Sequence, residues 1–185
     1  MYIAKQKRKE NIAEYILYLW QLEDIFRALD FDGNAIFRRL IEPQENLSAE
    51  ETEALFSWYT DMVNLMTTEG IREHGHLEHT LHLIGDLNDL HLQLLKFPVG
   101  EEYRKRYAQL APELPALKTK IGKPEMNDIE ICFRALYSVI LYRLKGEKNE
   151  AVENTLALIS PVIATLSNMH HKVEKGEIDL YKGVE

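Results

Sequence analysis

Histidine is where chemistry is first sought in this chain. Four of its seven histidines, His74, His76, His79 and His82, fall within nine residues. At about 100° per residue, His79 and His82 share one polar helix face with Asp86 and Asp89, opposite a leucine stripe. His82 and Asp86 stand i,i+4, close enough for an imidazole and a carboxylate to share a metal ion. The plainer reading is a solvated face with a local hydrogen bond, because two ligands on one helix hold a metal weakly. Glu73-x-x-His76 is the pairing that di-metal carboxylate bundles turn inward. Such bundles use two copies; this chain has one, with Gly75 inside it.

A sharper group lies where side chains should be buried. His91 falls on the leucine stripe of its helix, seven residues after Ile84. His170 holds the same place on the last helix, seven after Ile163. Glu23 flanks the stripe of the first, and Glu130 and Arg134 stand i,i+4 within the most apolar segment. Burying such groups costs several kcal/mol unless they are paired. Two outcomes follow. Each is satisfied separately, as a core histidine bonded to a carbonyl or tyrosine would be. Alternatively Glu23, His91 and His170 line one interior polar site able to take a small molecule or metal.

The elements that must position these residues read as helices throughout. Apolar residues recur every three or four positions, and strand-like alternation is missing. The first stripe runs through Ile12, Tyr15, Leu19, Leu22, Phe26 and Leu29, stopped by the turn signal Asp30-Phe-Asp-Gly33. A short helix over 34–42 ends before Pro43. Ser48 and Glu51 form a capping box opening the next helix. His76 to Lys96 follows, then a segment that Pro112 and Pro115 should kink or split. Gly122-Lys-Pro124 reads as a linker, Asn127 as a cap, and Gly146 as a stop. A final stripe from Val152 to Val173 passes through Pro161. The expectation is one all-α domain over 1–185, an antiparallel bundle of six to seven helices. Residues 1–10 form a basic N-terminal turn, and the tail 177–185 frays.

Composition narrows the function classes. The chain has 185 residues, 22 Lys and Arg against 30 Asp and Glu, and a net charge of −8. That balance argues against broad binding to nucleic acid or an anionic membrane. The lone Cys132 lies on an apolar stripe, which excludes an internal disulfide and reads as a buried hydrophobe. The longest uncharged run is too polar to span a bilayer, and the charged start lacks an apolar signal-peptide core; both favour a cytoplasmic protein. Phosphate-cradling glycine loops, a Gly-x-Ser-x-Gly elbow and His-Glu-x-x-His are missing, so no cofactor is expected. Lys5-Gln-Lys-Arg-Lys9 and the strip Lys118, Lys120, Lys123 are basic clusters, read as solvated or as modest anion or partner contacts. Tyr15, Tyr18, Trp20, Trp58 and Tyr59 cannot all face one core; they either pack at its edges or form a homo-oligomer or partner surface.

The opening Tyr2-Ile-Ala-Lys-x-x-x-x-Glu10-Asn-Ile-Ala-Glu-Tyr-Ile-Leu-Tyr-x-Trp20, with Glu69-Gly-Ile-x-Glu73-x-Gly75-His-Leu77 and Asp86-Leu-x-Asp89-Leu-His91, resembles a family of small Bacteroidetes proteins described only as a domain of unknown function. The resemblance spans the whole chain, including Phe133-x-Ala-Leu-Tyr137. It implies a bacterial, cytoplasmic, all-helical protein and carries no activity or site residue with it. The expected function is accordingly a non-enzymatic protein–protein interaction module, a homodimer. The alternative is a bundle that binds a metal or small molecule at the interior site, with or without catalysis.

Overall fold

A computed structural model describes residues 2–121, 125–146 and 150–180. Every regular element among them is helical: α1 (Tyr2–Glu10), α2 (Ile12–Ala28), α3 (Gly33–Ile36), α4 (Ala49–Thr68), α5 (Glu78–Lys96), α6 (Glu101–Leu110), α7 (Leu114–Ile121), α8 (Asp128–Leu144) and α9 (Glu150–Glu174). The fold is all-α, as the periodicity requires. The caps fall where the sequence places them. Ser48 and Glu51 close a reciprocal capping box at α4, and Asn127 accepts from the Glu130 N–H at α8. Pro112 and Pro115 split their segment, with a 3-10 turn at Ala111–Glu113 between α6 and α7. Pro161 sits inside an unbroken α9.

Three local features differ from the expectation. The basic run Lys5–Lys9 lies on a nine-residue helix, α1, not on a simple turn. Its few apolar residues gave no stripe to read. The short helix after Gly33 continues into a π-helical turn, Phe37–Ile41. Beyond Gly176 the chain does not leave the fold at once: Leu180 is 9% exposed and belongs to the main core. The expected linker at 122–124, with Lys123, lies outside the described residues.

Four helices organise the rest. Each of α2, α5, α8 and α9 touches the other three, a bundle around Ile16, Ile84, Leu87, Ile129, Phe133, Val162 and Leu166. Helix α6 packs on α5 and α9, and α7 on α8. A second apolar cluster lies across α2 from the first: Leu19, Leu22 and Phe26 meet Ile36, Ile41, Tyr59, Met62, Met66 and Leu77. Helix α2 is thus buried on two sides, and Trp20, at 0% exposure, belongs to the first cluster.

The register of α2 is set at its start. The Asn11 Oδ1 accepts from the Ala13 and Glu14 N–H groups at 3.1 and 3.3 Å, and from the Ser167 hydroxyl of α9 at 2.6 Å. One side chain therefore caps α2 and ties it to α9. Asn11→Ala removes both functions and is expected to cost about 2 kcal/mol, the upper end for a lost cap. Urea unfolding should show this as a lower midpoint with an unchanged slope.

Candidate functional site

Glu23, His91 and His170 do not meet; each belongs to its own network. The Glu23 carboxyl is 0% exposed, on α2 between the two clusters. The His76 Nδ1–H donates to its Oε2 at 2.8 Å, and the Leu77 backbone N–H to its Oε1 at 3.2 Å. The His76 ring stacks on Trp20, with centroids 3.7 Å apart and planes 9° apart. Trp20 in turn donates from Nε1 to the Thr80 hydroxyl at 3.0 Å, which donates to the Leu77 carbonyl. One helical turn further along α2, Arg27 pairs with Asp24 at 2.8 Å and donates to the carbonyls of Ile71 and Gly75. Tyr137 of α8 donates to Asp24 and to the Trp20 carbonyl. Burial and the neighbouring Asp24 hold the Tyr137 phenol far above its usual value, so it stays a donor.

A carboxylate on Nδ1 is the arrangement that orients a general-base histidine. Here the pairing also holds the chain in place. Trp20 covers one face of the imidazole, and the contacts of Glu23 and Arg27 bind the segment 71–77 to α2. His76 precedes α5 instead of opening it, because Glu23 has claimed both its ring and the next N–H.

His91 is 2% exposed, and its Nδ1 lies 2.6 Å from the Tyr103 hydroxyl. Burial lowers the His91 pKa and raises that of Tyr103, so the pair is neutral and the hydroxyl donates. Tyr107 packs against the same imidazole at 4.7 Å and donates to Asp128, which pairs with Lys118 at 2.7 Å. Burial alone would raise Asp128; its bonds to Lys118 and Tyr107 hold it below the usual carboxylate range instead. Cys132 is 1% exposed, and burial pushes its thiol up to about 12, which keeps it an unreactive packing group. The tyrosines reach His91 because α6 doubles back at Gly100. An alanine Cβ there would lie 1.9 Å from the Leu94 carbonyl oxygen, which admits only glycine.

His170 is partly buried on α9, 3.5 Å from Glu174. Glu174 takes a two-pronged contact from Arg8 of α1, at 3.0 and 3.3 Å. Burial lowers the His170 pKa against the opposing fields of Glu174 and Asp86, with Arg8 and His171 adding to the lowering. His170 therefore faces the polar side of α5, not His91. On that side Tyr15 bonds His79 at 3.0 Å, and burial with Arg8 lowers the His79 pKa. His82 turns to Glu78 at 3.5 Å instead of Asp86, and both are well exposed, as are Asp86 and Asp89. Among the described residues no group of three His, Cys, Asp or Glu side chains is placed to hold a metal.

Beside the Arg8–Glu174 pair lies a groove of about 520 Å³. Lys5, Arg8 and Lys9 of α1 line it, with His171 and Glu174 of α9 and Lys175 just beyond that helix. Tyr15 and Trp58 wall it. The sequence marks the lysine run but not its counterpart on α9, 166 residues away along the Arg8–Glu174 contact. Nor does it mark Tyr103, Tyr137 and Thr80 as partners, since their roles come from helices meeting and not from local spacing. Glu130 and Arg134 pair with each other at 2.9 Å, as their spacing allows.

Two outcomes follow from these networks. Glu23→Ala leaves His76 and the Leu77 N–H without their acceptor, and is expected to cost about 3–5 kcal/mol in denaturant unfolding, as breaking a buried pair does. His79, His91 and His170 all have folded pKa values below the ordinary 6.5. Unfolding therefore takes up protons just below that value, so stability is complete above about 6.5 and declines as pH falls toward 5. His91→Asn keeps an acceptor near the Nδ1 position for Tyr103 and should flatten that decline in the melting temperature.

No curated protein and no solved structure matches the chain. The family model described as Domain of unknown function (DUF4924) matches residues 1–177, and with that the chain belongs to this family.

Proposed function

We propose that this protein is a helical binding module that acts by contact and that its ligand is an anion held in the α1–α9 groove. The observation that carries the reading is the gathering of Lys5, Arg8, Lys9 and Lys175 around one groove of a chain whose net charge is −8; Arg8 is paired with Glu174 and Lys175 lies 3.9 Å from Glu177, so Lys5 and Lys9 are the cations left for a ligand. Lys5 and Lys9 stand i,i+4 on a nine-residue helix and make no ion pair among the described residues. Like charges at that spacing destabilise a helix by a few tenths of a kcal/mol, which a bound anion relieves. The histidines and Cys132 inside the bundle are committed to packing or to intramolecular partners, which supports binding over turnover.

The homodimer expected from surplus aromatic rings has lost part of its support. Trp20 and Tyr59 are buried, and Tyr18 packs on the second cluster. A protein partner remains within the proposal where its contacting segment is acidic. The bacterial and cytoplasmic setting is proposed from the resemblance. No helix among the described residues is long and apolar enough to cross a membrane.

Titration calorimetry with tripolyphosphate in low salt tests the reading. Binding is expected, weakened at least tenfold in the double variant Lys5→Ala/Lys9→Ala and weakened again by added salt. Unaltered binding in that variant, or none in the native chain, overturns it.

A further inference from the structure

We infer that the groove takes a phosphorylated nucleoside, its ring against Trp58 and its phosphates between the lysines of α1 and Lys175, just beyond α9. The inference rests on the anion reading above and adds the ligand's class. Two kinds of wall meet here. The cationic rim accounts for a charged group, but an inorganic anion would leave the indole of Trp58 and the ring of Tyr15 facing water and ions. A ligand that joins a planar ring to phosphate uses both, since aromatic side chains give a stacking surface to any base and lysines act as point charges for phosphate.

The geometry favours such a ligand in three further respects. The groove volume, about 520 Å³, lies within the range of small-molecule sites. Trp58 is only partly buried: it packs on the second cluster, which fixes the indole, and also lines the groove. Arg8 is held by both Glu174 oxygens, so it presents a fixed guanidinium and not a free charge, while Lys5 and Lys9 stay unpaired among the described residues. A single nucleotide suits this arrangement better than a strand. The chain's net charge of −8 repels an extended polyanion beyond the groove.

The experiment compares ATP with tripolyphosphate, both without divalent metal, by calorimetry and by tryptophan fluorescence. The chain has two tryptophans, and Trp20 is fully buried, so quenching on binding reports Trp58. ATP is expected to bind at least tenfold more tightly than tripolyphosphate and to quench. Trp58→Leu should bring ATP down to the tripolyphosphate level, while Lys5→Ala/Lys9→Ala weakens both ligands alike. Circular dichroism checks that each variant is folded; if Trp58→Leu is not, acrylamide quenching of the native chain serves instead, with Trp58 shielded by ATP and not by tripolyphosphate. Equal affinities overturn the nucleoside and leave the anion reading standing. Failure of both ligands overturns both. A single-stranded oligonucleotide that binds more tightly than ATP overturns the mononucleotide assignment.

Discussion

The structure hinges on a carboxyl group that has no contact with solvent. Glu23 sits between two apolar clusters, where an unsatisfied carboxyl would cost several kcal/mol. Its two oxygens are met by the His76 ring and the Leu77 N–H, both from the segment that leads into α5. That one requirement fixes where α5 begins. It also stacks His76 on Trp20, and Trp20 holds Thr80 in the first turn of α5. Leu77 thereby enters the second cluster while Ile84 and Leu87 enter the first, so the junction of α4 and α5 bridges the two.

Helix α2 can be buried on two sides because its polar groups are placed at their boundary. Leu19, Leu22 and Phe26 pack one way and Ile12, Ile16 and Trp20 the other, with Glu23, Asp24 and Arg27 on the seam toward Tyr137 and the 71–77 segment. A helix buried on two faces without such groups would have no preferred rotation. The ion pair and hydrogen bonds supply one, a use of buried polarity better attested than any gain in stability.

Much of this was legible in the sequence, for a physical reason. Helix caps and stripes depend on residues within a turn of each other, so Ser48 with Glu51, Asn127, and the burial of Glu23 and His91 could be read from spacing. Helix α1 could not, because so short and polar a segment is helical through its docking on α2 and not through its own pattern. The place of the aromatic rings is not legible for a related cause: α2 carries two stripes, and Tyr18, Trp58 and Tyr59 pack in or on a second cluster that one stripe per helix does not predict.

The fates of Glu23, His91 and His170 show where such reading stops. All three lie on or beside apolar stripes, and a stripe states that a side chain is covered without stating by what. For Glu23 the cover is a loop 53 residues onward. For His91 it is a helix that returns after 12 residues because Gly100 lets the backbone pass close to Leu94. For His170 it is Glu174, held by Arg8 from the opposite end of the chain. The same topology that separates these three creates the groove, since α1 and the end of α9 meet only once the bundle has closed. A cation cluster split between residues 5–9 and 171–175 has no signature in either half alone. Its charge density is a property of the fold: Lys5, Arg8, Lys9 and Lys175 outnumber the one carboxylate that lines the groove, Glu174, in a chain whose net charge is −8.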